Sequence, residues 1–346
     1  MFFPSIDISI NPVWLLSLGL SVGILSGFFG VGGGFLVTGG LIVLGVPELH
    51  AVGTGLALIM GSSTINALKH RKLGHVDFKL GLYMILGSIP GVEAAKRLLL
   101  YLESQGLEDD VIHYVYVVVL TALGTFILYD YYRSAPSRAA GVDQSTTGNL
   151  IRRVRAINLP PRVSLPVAGI PSISLWVLVG IGLCVGFFAG LLGAGGGFLL
   201  MPVLVFMLGV PTITAVGTDL FQVMITGSFG ALTYALDDKV ELLMALVMLV
   251  AASVGSQLGT MATGVVDGSR IRFLYAVTIL AGGLSLALDQ ASKAGPSVDF
   301  LSTLGAVLLL GVAGAMCLLI AVLVVVSVLK AGKSTSAITS HPGHVD

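Results

Sequence analysis

The sequence predicts an all-α integral membrane protein with two inverted-topology helical repeats, glycine-interrupted helices and one extra C-terminal helix. Three observations lead to this fold class: the composition is apolar, a glycine motif occurs twice, and basic residues are unevenly distributed among the loops. Hydrophobic residues make up 55% of the chain and charged residues 10%, whereas about a quarter of the residues are charged in an ordinary soluble domain. The chain is therefore expected to pass through a cell membrane several times, with the lipid bilayer as one partner.

A glycine-rich motif divides each half of the chain. Residues 23–36 read GILSGFFGVGGGFL, and residues 186–199 read GFFAGLLGAGGGFL. Two later motifs also occur twice, Leu-Gly-Val-Pro at 44–47 and 208–211 and Ala-Val-Gly-Thr at 51–54 and 215–218. Because the order is preserved and the spacing is approximately the same, the two halves are predicted to fold in the same way.

Apolar runs predict the helices in order. A hydrocarbon core about 30 Å thick needs roughly 20 helical residues per crossing. The first half has such runs near 12–31, 34–46, 50–69, 78–100 and 111–132. The second half has them near 173–193, 196–208, 211–236, 240–263 and 271–289, and an unrepeated helix follows near 301–330. The segments after the glycines hold about 12 residues and span only about 18 Å, which indicates half-helices.

The predicted helices divide the chain into five regions. They are a first transmembrane repeat at 1–132, a cytoplasmic linker at 133–172, a second, inverted repeat at 173–289, an additional transmembrane helix at 290–330, and a disordered tail at 331–346. The favoured interpretation of the linker, which is rich in arginine and proline, is a simple connection between the repeats. Its basic stretch at 151–159 would alternatively lie on an anionic membrane surface.

Loop charges predict the orientation of the chain in the membrane. Most of its 18 lysine and arginine residues lie in four regions, at 66–80, 133–172, 270–272 and 330–333. Because basic residues accumulate on the cytoplasmic side, the N-terminus is predicted outside and the C-terminus inside. The loop after the third helix is basic in the first half, but its counterpart reads Asp-Asp-Lys at 237–239. The halves are therefore predicted to be inverted, as in many secondary transporters.

Two glycine triplets are the first candidates for a binding site: Gly32, Gly33, Gly34, Gly195, Gly196 and Gly197. Glycine tolerates unusual backbone angles and lets backbone amides approach a ligand closely. If each triplet precedes a short helix, its unpaired N–H groups and the positive end of the helix dipole would bind an anion. Glycines also allow helices to pack closely, and this interpretation is favoured for scattered glycines such as Gly19, Gly23 and Gly27.

The paired motifs resemble those of the TauE/SafE family of sulfite exporters and related anion permeases. The resemblance rests on Gly-x-Gly-Gly-Gly-Phe-Leu, Gly-Val-Pro and Ala-Val-Gly-Thr, and it extends over about residues 12–289. It implies a carrier of a small sulfur-containing oxyanion, such as sulfite or a sulfonate, without an enzymatic step, and members of the family differ in transport direction. Together with the inverted repeat, it leads us to predict a secondary transporter that exports such an anion by alternating access. Alternatives are a proton-coupled carrier of another small organic anion and an anion channel. Local departures are Asp219, where the first half has Gly55, and Pro202, which has no match at 37–40.

Polar side chains in the third helix of each half are the next candidates. Thr54, Asn66, Thr218 and Gln222 are predicted to contact the substrate, because an oxyanion needs hydroxyl and amide donors. A threonine hydroxyl can instead bond to a carbonyl of its own helix. Asp219 is a candidate for proton coupling, since a central acidic group costs about 2.5 to 3.5 kcal/mol in a bilayer and is a functional candidate by default. The alternative is that Asp219 caps the start of its helix and stays hydrated.

Other classes of function find no support in the sequence. No Ser-His-Asp arrangement or pair of carboxylates stands out, and the glycine motif lacks the lysine of a nucleotide-binding loop. We therefore expect neither enzymatic activity nor a cofactor. The histidines are dispersed, and Cys184 and Cys317 lie in apolar runs, so no metal site is predicted. The charges form no single basic face, which argues against nucleic acid as a partner.

Overall fold

The computed structural model describes residues 1–3, 6–30, 33–133, 148–157, 159–263, 266–292 and 300–339. Within these residues, seven helices are long and apolar enough to cross a membrane, which confirms the predicted all-α membrane protein. The strands of the same residues form two short antiparallel pairs. Helices are favoured in a bilayer because they satisfy their backbone polar groups internally.

The first half contains helices in the predicted order. They are α1 (Pro12–Phe29), α2 (Gly34–Val43), α3 (Glu48–Lys72), α4 (Phe78–Glu103) and α5 (Glu108–Arg133). A small hairpin of β1 (Phe2–Phe3) and β2 (Ile8–Ser9) precedes them and was not predicted. The side-chain oxygen of Asn11 accepts a 3.0 Å hydrogen bond from the Val13 amide. This bond caps α1, because the first amides of a helix have no partner within it.

The linker between the halves contains regular structure. Its described part includes α6 (Gly148–Arg155) and a hairpin of β3 (Arg162–Leu165) and β4 (Ile170–Ser174). The Ala168 amide, in the turn of this hairpin, donates a 3.0 Å hydrogen bond to Oδ2 of Asp77 at the start of α4. Ala168 is fully buried. The hairpin therefore packs onto the helical bundle, which the interpretation as a simple connection does not anticipate.

The second half contains the corresponding helices. They are α7 (Leu175–Leu192), α8 (Gly197–Pro202), α9 (Thr212–Ala235), α10 (Leu242–Thr263) and α11 (Gly268–Ser292). A π-helical turn at Val203–Met207 continues α8. The unrepeated helix α12 (Phe300–Thr339) follows. It extends beyond its predicted end at residue 330, into the segment predicted to be a disordered tail.

Two parallel helix pairs hold the halves together. Gly19, Gly23 and Gly27 of α1 face the backbone of α10, and a Cβ atom at Gly23 would lie 2.2 Å from the carbonyl oxygen of Ala252. Helices α4 and α7 form the equivalent pair, again through glycines on successive turns. Since these contacts leave no room for a side chain, the glycines allow the helix backbones to touch. The close packing predicted for Gly19, Gly23 and Gly27 is confirmed.

Equivalent helices of the two halves run antiparallel to each other. Between α3 and α9, Leu56 lies against Gly230 and Met60 against Gly227. Helices α5 and α11 show the same reversed order of contacts. In an inverted repeat, equivalent helices run in opposite directions. The contacts therefore support the predicted inversion.

Candidate functional site

The two glycine breaks meet inside the bundle. Helix α1 ends at Gly30 and α7 ends at Gly193, with φ values of 77° and 65°, a conformation that favours glycine because it has no β-carbon. A Cβ atom at Gly34, the first residue of α2, would lie 2.2 Å from the carbonyl oxygen of Ala194 in the second break. The Thr38 hydroxyl donates a 3.3 Å hydrogen bond to the carbonyl oxygen of Gly193. The short helix of the first half thus begins where the halves are in backbone contact.

Five of the six glycines predicted to bind an anion are described by the structure, and they lie in this crossing. Gly33, Gly34, Gly195, Gly196 and Gly197 are buried, whereas Gly32 lies outside the described residues. Three of the buried glycines would each meet a methyl group of a different valine if a Cβ atom were added: the distance would be 2.7 Å at Gly33 and 2.8 Å at both Gly195 and Gly196. Close packing is therefore one role of these glycines. A contact between their amides and an anion stays a prediction.

Thr54 and Thr218 connect the halves. Oγ1 of Thr54 accepts a 2.9 Å hydrogen bond from the Glu241 amide, and Oγ1 of Thr218 accepts a 2.9 Å bond from the Asp77 amide. Because Glu241 and Asp77 immediately precede α10 and α4, each threonine anchors the start of a helix in the other half. This anchoring role is not evident from the sequence, and the substrate contact stays a prediction.

Asn66 is the centre of a buried polar cluster in the first half. Its Nδ2 donates a 3.1 Å hydrogen bond to Oγ of Ser26. The Thr260 hydroxyl shares its single proton between the Ser256 carbonyl oxygen, at 2.8 Å, and Oδ1 of Asn66, at 3.3 Å. One turn further along α3, Nζ of Lys69 donates a hydrogen bond to Oε1 of Gln257. Helix packing therefore joins a predicted site residue to polar groups of α1 and α10 that no sequence signal singled out.

A cavity of about 430 Å³ adjoins this cluster. It is lined by Lys69, Lys72, Leu73, Gln257, Thr260 and Met261. Ammonium, amide and hydroxyl groups are donors suited to an oxyanion. A second cavity, of about 490 Å³, has Ile151, Gly209 and Arg272 in its lining. Neither of these two cavities is lined by the glycine triplets.

Gln222 belongs to a buried polar row between α9 and α4. Its Nε2 donates a 2.8 Å hydrogen bond to Oγ1 of Thr226, and the hydroxyl oxygens of Thr226 and Ser88 are 3.0 Å apart. Oε1 of Gln222 has no hydrogen-bond partner among the described residues. Because this oxygen is an acceptor, it suits a proton donor better than an oxyanion.

Asp219 lies one turn before Gln222 and is completely buried. Neither of its carboxylate oxygens has a hydrogen-bond partner in the part of the chain that the structure describes. Helix α9 begins two turns earlier, at Thr212, so the alternative of a hydrated helix cap is contradicted. The side chain interacts electrostatically with the Met201 backbone and with Tyr275. Among the described residues, no cluster of His, Cys, Asp and Glu could hold a metal ion.

Comparison with known proteins relates the chain to membrane transporters. The family described as "Sulfite exporter TauE/SafE" matches residues 15–286. The probable membrane transporter protein YjnA of Bacillus subtilis is 27% identical over 276 residues, covering 79% of this chain and 99% of that protein. The probable membrane transporter protein MJ0441 of Methanocaldococcus jannaschii is 25% identical over 290 residues, covering 79% of this chain and 94% of that protein. No solved structure matches the chain.

Proposed function

Because the chain belongs to the sulfite exporter TauE/SafE family of membrane transporters, we propose that it exports a small sulfur-containing oxyanion such as sulfite or a sulfonate. The observation that carries the proposal is the crossing of the glycine breaks, with Gly34 against Ala194. It brings the interrupted helices of both halves to one place, which is where many secondary transporters bind their substrates. We infer transport without an enzymatic step, with the N-terminus outside and the C-terminus in the cytoplasm.

The helix arrangement supports alternating access as the mechanism. The antiparallel helices α3 and α9 are equivalent elements, and the parallel pairs α1–α10 and α4–α7 each join one half to the other. In an inverted repeat, the halves can exchange their conformations. This exchange opens the site to one side of the membrane as it closes the other.

Polar groups near the breaks have the chemistry that an oxyanion requires. Asn66 and Ser26 supply an amide and a hydroxyl group, and Lys69 supplies a charged donor at the edge of the cluster. Hydrogen bonds in which one partner is ionised are about twice as strong as neutral ones. A small anion with several acceptor oxygens therefore suits this set of groups.

Flux measurements in liposomes test the proposed function. We expect saturable exchange of at least one anion among sulfite, sulfoacetate, taurine and thiosulfate, whereas an anion channel would give ohmic conductance. Asn66→Asp should reduce the flux by at least about fivefold, because one negative charge near another costs at least about 1 kcal/mol. Asn66→Gln is the neutral control. A protein that moves none of the four anions under imposed proton or sodium gradients would contradict the proposal.

A second proposal concerns proton coupling, with Asp219 as the proton-binding group. The observation that favours it is the complete burial of a carboxylate whose oxygens accept no hydrogen bond of normal geometry among the described residues, one turn from the unpaired Oε1 of Gln222. Burying an ionised carboxylate without a partner is costly, whereas a protonated one can donate a hydrogen bond. Tyr275 is a second titratable group that interacts electrostatically with Asp219, and its hydroxyl donates a 2.6 Å hydrogen bond to the carbonyl oxygen of Phe198. Such coupling would equally serve the alternative function, a carrier of another small organic anion.

Asp219→Asn tests the coupling, with Asp219→Glu as the control that keeps a carboxyl group. If one proton accompanies each anion, a gradient of one pH unit supplies about 1.4 kcal/mol, which corresponds to about tenfold accumulation. We expect the Asn variant to exchange anions but to lose this accumulation, and the Glu variant to retain part of it. Unchanged pH dependence in the Asn variant would remove Asp219 from the mechanism.

A further inference from the structure

The cavity between the ends of α3 and α10 has two lysines in a mostly apolar lining. Its volume is about 430 Å³. Lys69 and Lys72 line it together with an amide, a hydroxyl and two apolar side chains, and none of these lining residues is acidic. A concave surface with one sign of charge raises the local concentration of ions of the opposite sign. The lining therefore favours an anion.

Both lysines have N–H groups available for a ligand. Nζ of Lys69 donates to Oε1 of Gln257, and an ammonium group has three donors. Lys72 is exposed. Arg71 lies between Lys69 and Lys72 in the sequence but stacks over the Phe78 ring, 5.7 Å from its centroid, and is absent from the lining. It provides a matched control for the two lysines.

A row of polar groups leads from the cavity to the first glycine break. Thr260 lines the cavity and donates a 3.3 Å hydrogen bond to Asn66, which in turn donates a 3.1 Å bond to the Ser26 hydroxyl. The backbone carbonyl of Ser26 accepts a 2.9 Å bond from the Gly30 amide, where α1 ends. Groups of α10, α3 and α1 thus connect the cavity to the crossing of the breaks.

The repeat identifies the corresponding place in the other half. Ala252 of α10 packs against the first glycine of the first motif, and Ser88 of α4 packs against the first glycine of the second motif. Two turns further along these helices lie Thr260 and Lys96, respectively. Thr260 forms part of the cavity wall, and Lys96 therefore occupies the corresponding place in the other half.

That corresponding place is filled by an ion pair. Nζ of Lys96 donates a 3.0 Å hydrogen bond to the carbonyl oxygen of Thr233 and lies 2.5 Å from Oδ2 of Asp237. The Lys96 side chain is only 12% exposed. Thr233 corresponds to Lys69, because both lie at the same distance after the Ala-Val-Gly-Thr motifs. One half therefore presents an open cavity where the other has a closed contact.

We propose that the cavity lined by Lys69 and Lys72 is the site where the transported oxyanion first binds, at the end of the bundle predicted to be cytoplasmic. This inference rests on the proposed function and adds a loading site to it. In this proposal, the end of the bundle with Lys69 and Lys72 is accessible to the anion, and the corresponding place in the other half is closed by the Lys96–Asp237 ion pair. The phosphate of an anionic lipid shares the chemistry of a free oxyanion, so the experiment distinguishes these two sources.

Flux of labelled sulfite into inside-out and right-side-out membrane vesicles tests the loading site. Loss of one nearby charge weakens binding by about fivefold, so the double variant Lys69→Gln with Lys72→Gln should have a KM raised by at least about tenfold on one face. The KM of the double variant on the other face should change by less than about twofold. The KM values of Arg71→Gln on both faces should also change by less than about twofold. Unchanged KM values of the double variant on both faces would overturn the loading site while leaving transport intact.

Binding measured without transport separates the loading site from the proposed function. We expect calorimetric titration of the purified protein with methanesulfonate to show binding that the double variant loses. This loss would support the site even if liposomes showed no flux, a result that would overturn the transport function alone. Equal binding by both proteins would overturn the site. The protein could instead bind phosphatidylglycerol through the two lysines and not bind methanesulfonate. This result would assign the cavity to lipid and would also overturn the loading site.

Discussion

An added methyl group at Gly34 tests the crossing of the two glycine breaks. In Gly34→Ala, the new Cβ atom would lie 2.2 Å from the carbonyl oxygen of Ala194 and 2.3 Å from its Cα atom, whereas ordinary contacts begin at 3.4 Å. The crowded atoms belong to the backbone, which cannot rotate away as a flexible side chain would. The breaks would have to separate by more than 1 Å, moving α2 relative to α7.

The expected loss of stability follows from this overlap. Overpacking a well-packed core costs about 1 to 3 kcal/mol, and we expect about 3 kcal/mol because relief requires a helix to move. Gly39→Ala is the matched control on the same helix, since its Cβ atom would meet only Cδ1 of Leu286, at 3.9 Å. Alanine inside a helix is more stable than glycine by about 0.5 to 1 kcal/mol. The two variants should therefore differ by about 3 to 4 kcal/mol.

Thermal unfolding of the purified protein in detergent measures this difference. At roughly 2 to 4 °C per kcal/mol, Gly34→Ala should unfold about 6 to 12 °C below the unchanged protein, and Gly39→Ala at or slightly above it. Flux should fall only in Gly34→Ala. Equal unfolding temperatures for the two variants would refute the backbone contact between the breaks, and with it the observation that carries the proposed function.

Four further residues that join separate elements lead to measurable expectations. Thr54→Val and Thr218→Val each leave a buried amide without its acceptor, so unfolding should show a loss of about 1 to 3 kcal/mol for each; lost flux at unchanged stability would instead indicate substrate contact. Lys96→Met should lower stability by about 1 to 2 kcal/mol, less than a fully buried pair would, and Lys96→Arg should not; equal Tm values would contradict a closed contact. Asp77→Ala removes the acceptor for the start of α4 and for the linker hairpin, so stability should fall by about 2 kcal/mol and residues 162–174 should be cleaved faster by protease, whereas Asp77→Asn should lose less.

The sequence by itself determined the class of protein and the positions of the helix breaks. Apolar runs have to be helical in a bilayer, and they predicted α1 to α5 and α7 to α11 to within a few residues. The breaks are equally local, because a positive φ at Gly30 and Gly193 is a property of glycine itself. The family resemblance was confirmed as well. The repeated motifs on which it rests can be identified without knowing which helices pack together.

Only the tertiary structure decided which polar residues meet. Asn66 was a predicted site residue, but its partners Ser26 and Thr260 come from helices far away in the sequence. Thr218 was predicted to contact the substrate, and the structure shows it anchoring α4 through Asp77. A hydroxyl group in an apolar helix has the same local sequence whether it faces lipid, another helix or a substrate. Its partner depends on how each helix is rotated and shifted against the next, and close packing between glycine-lined faces sets that rotation.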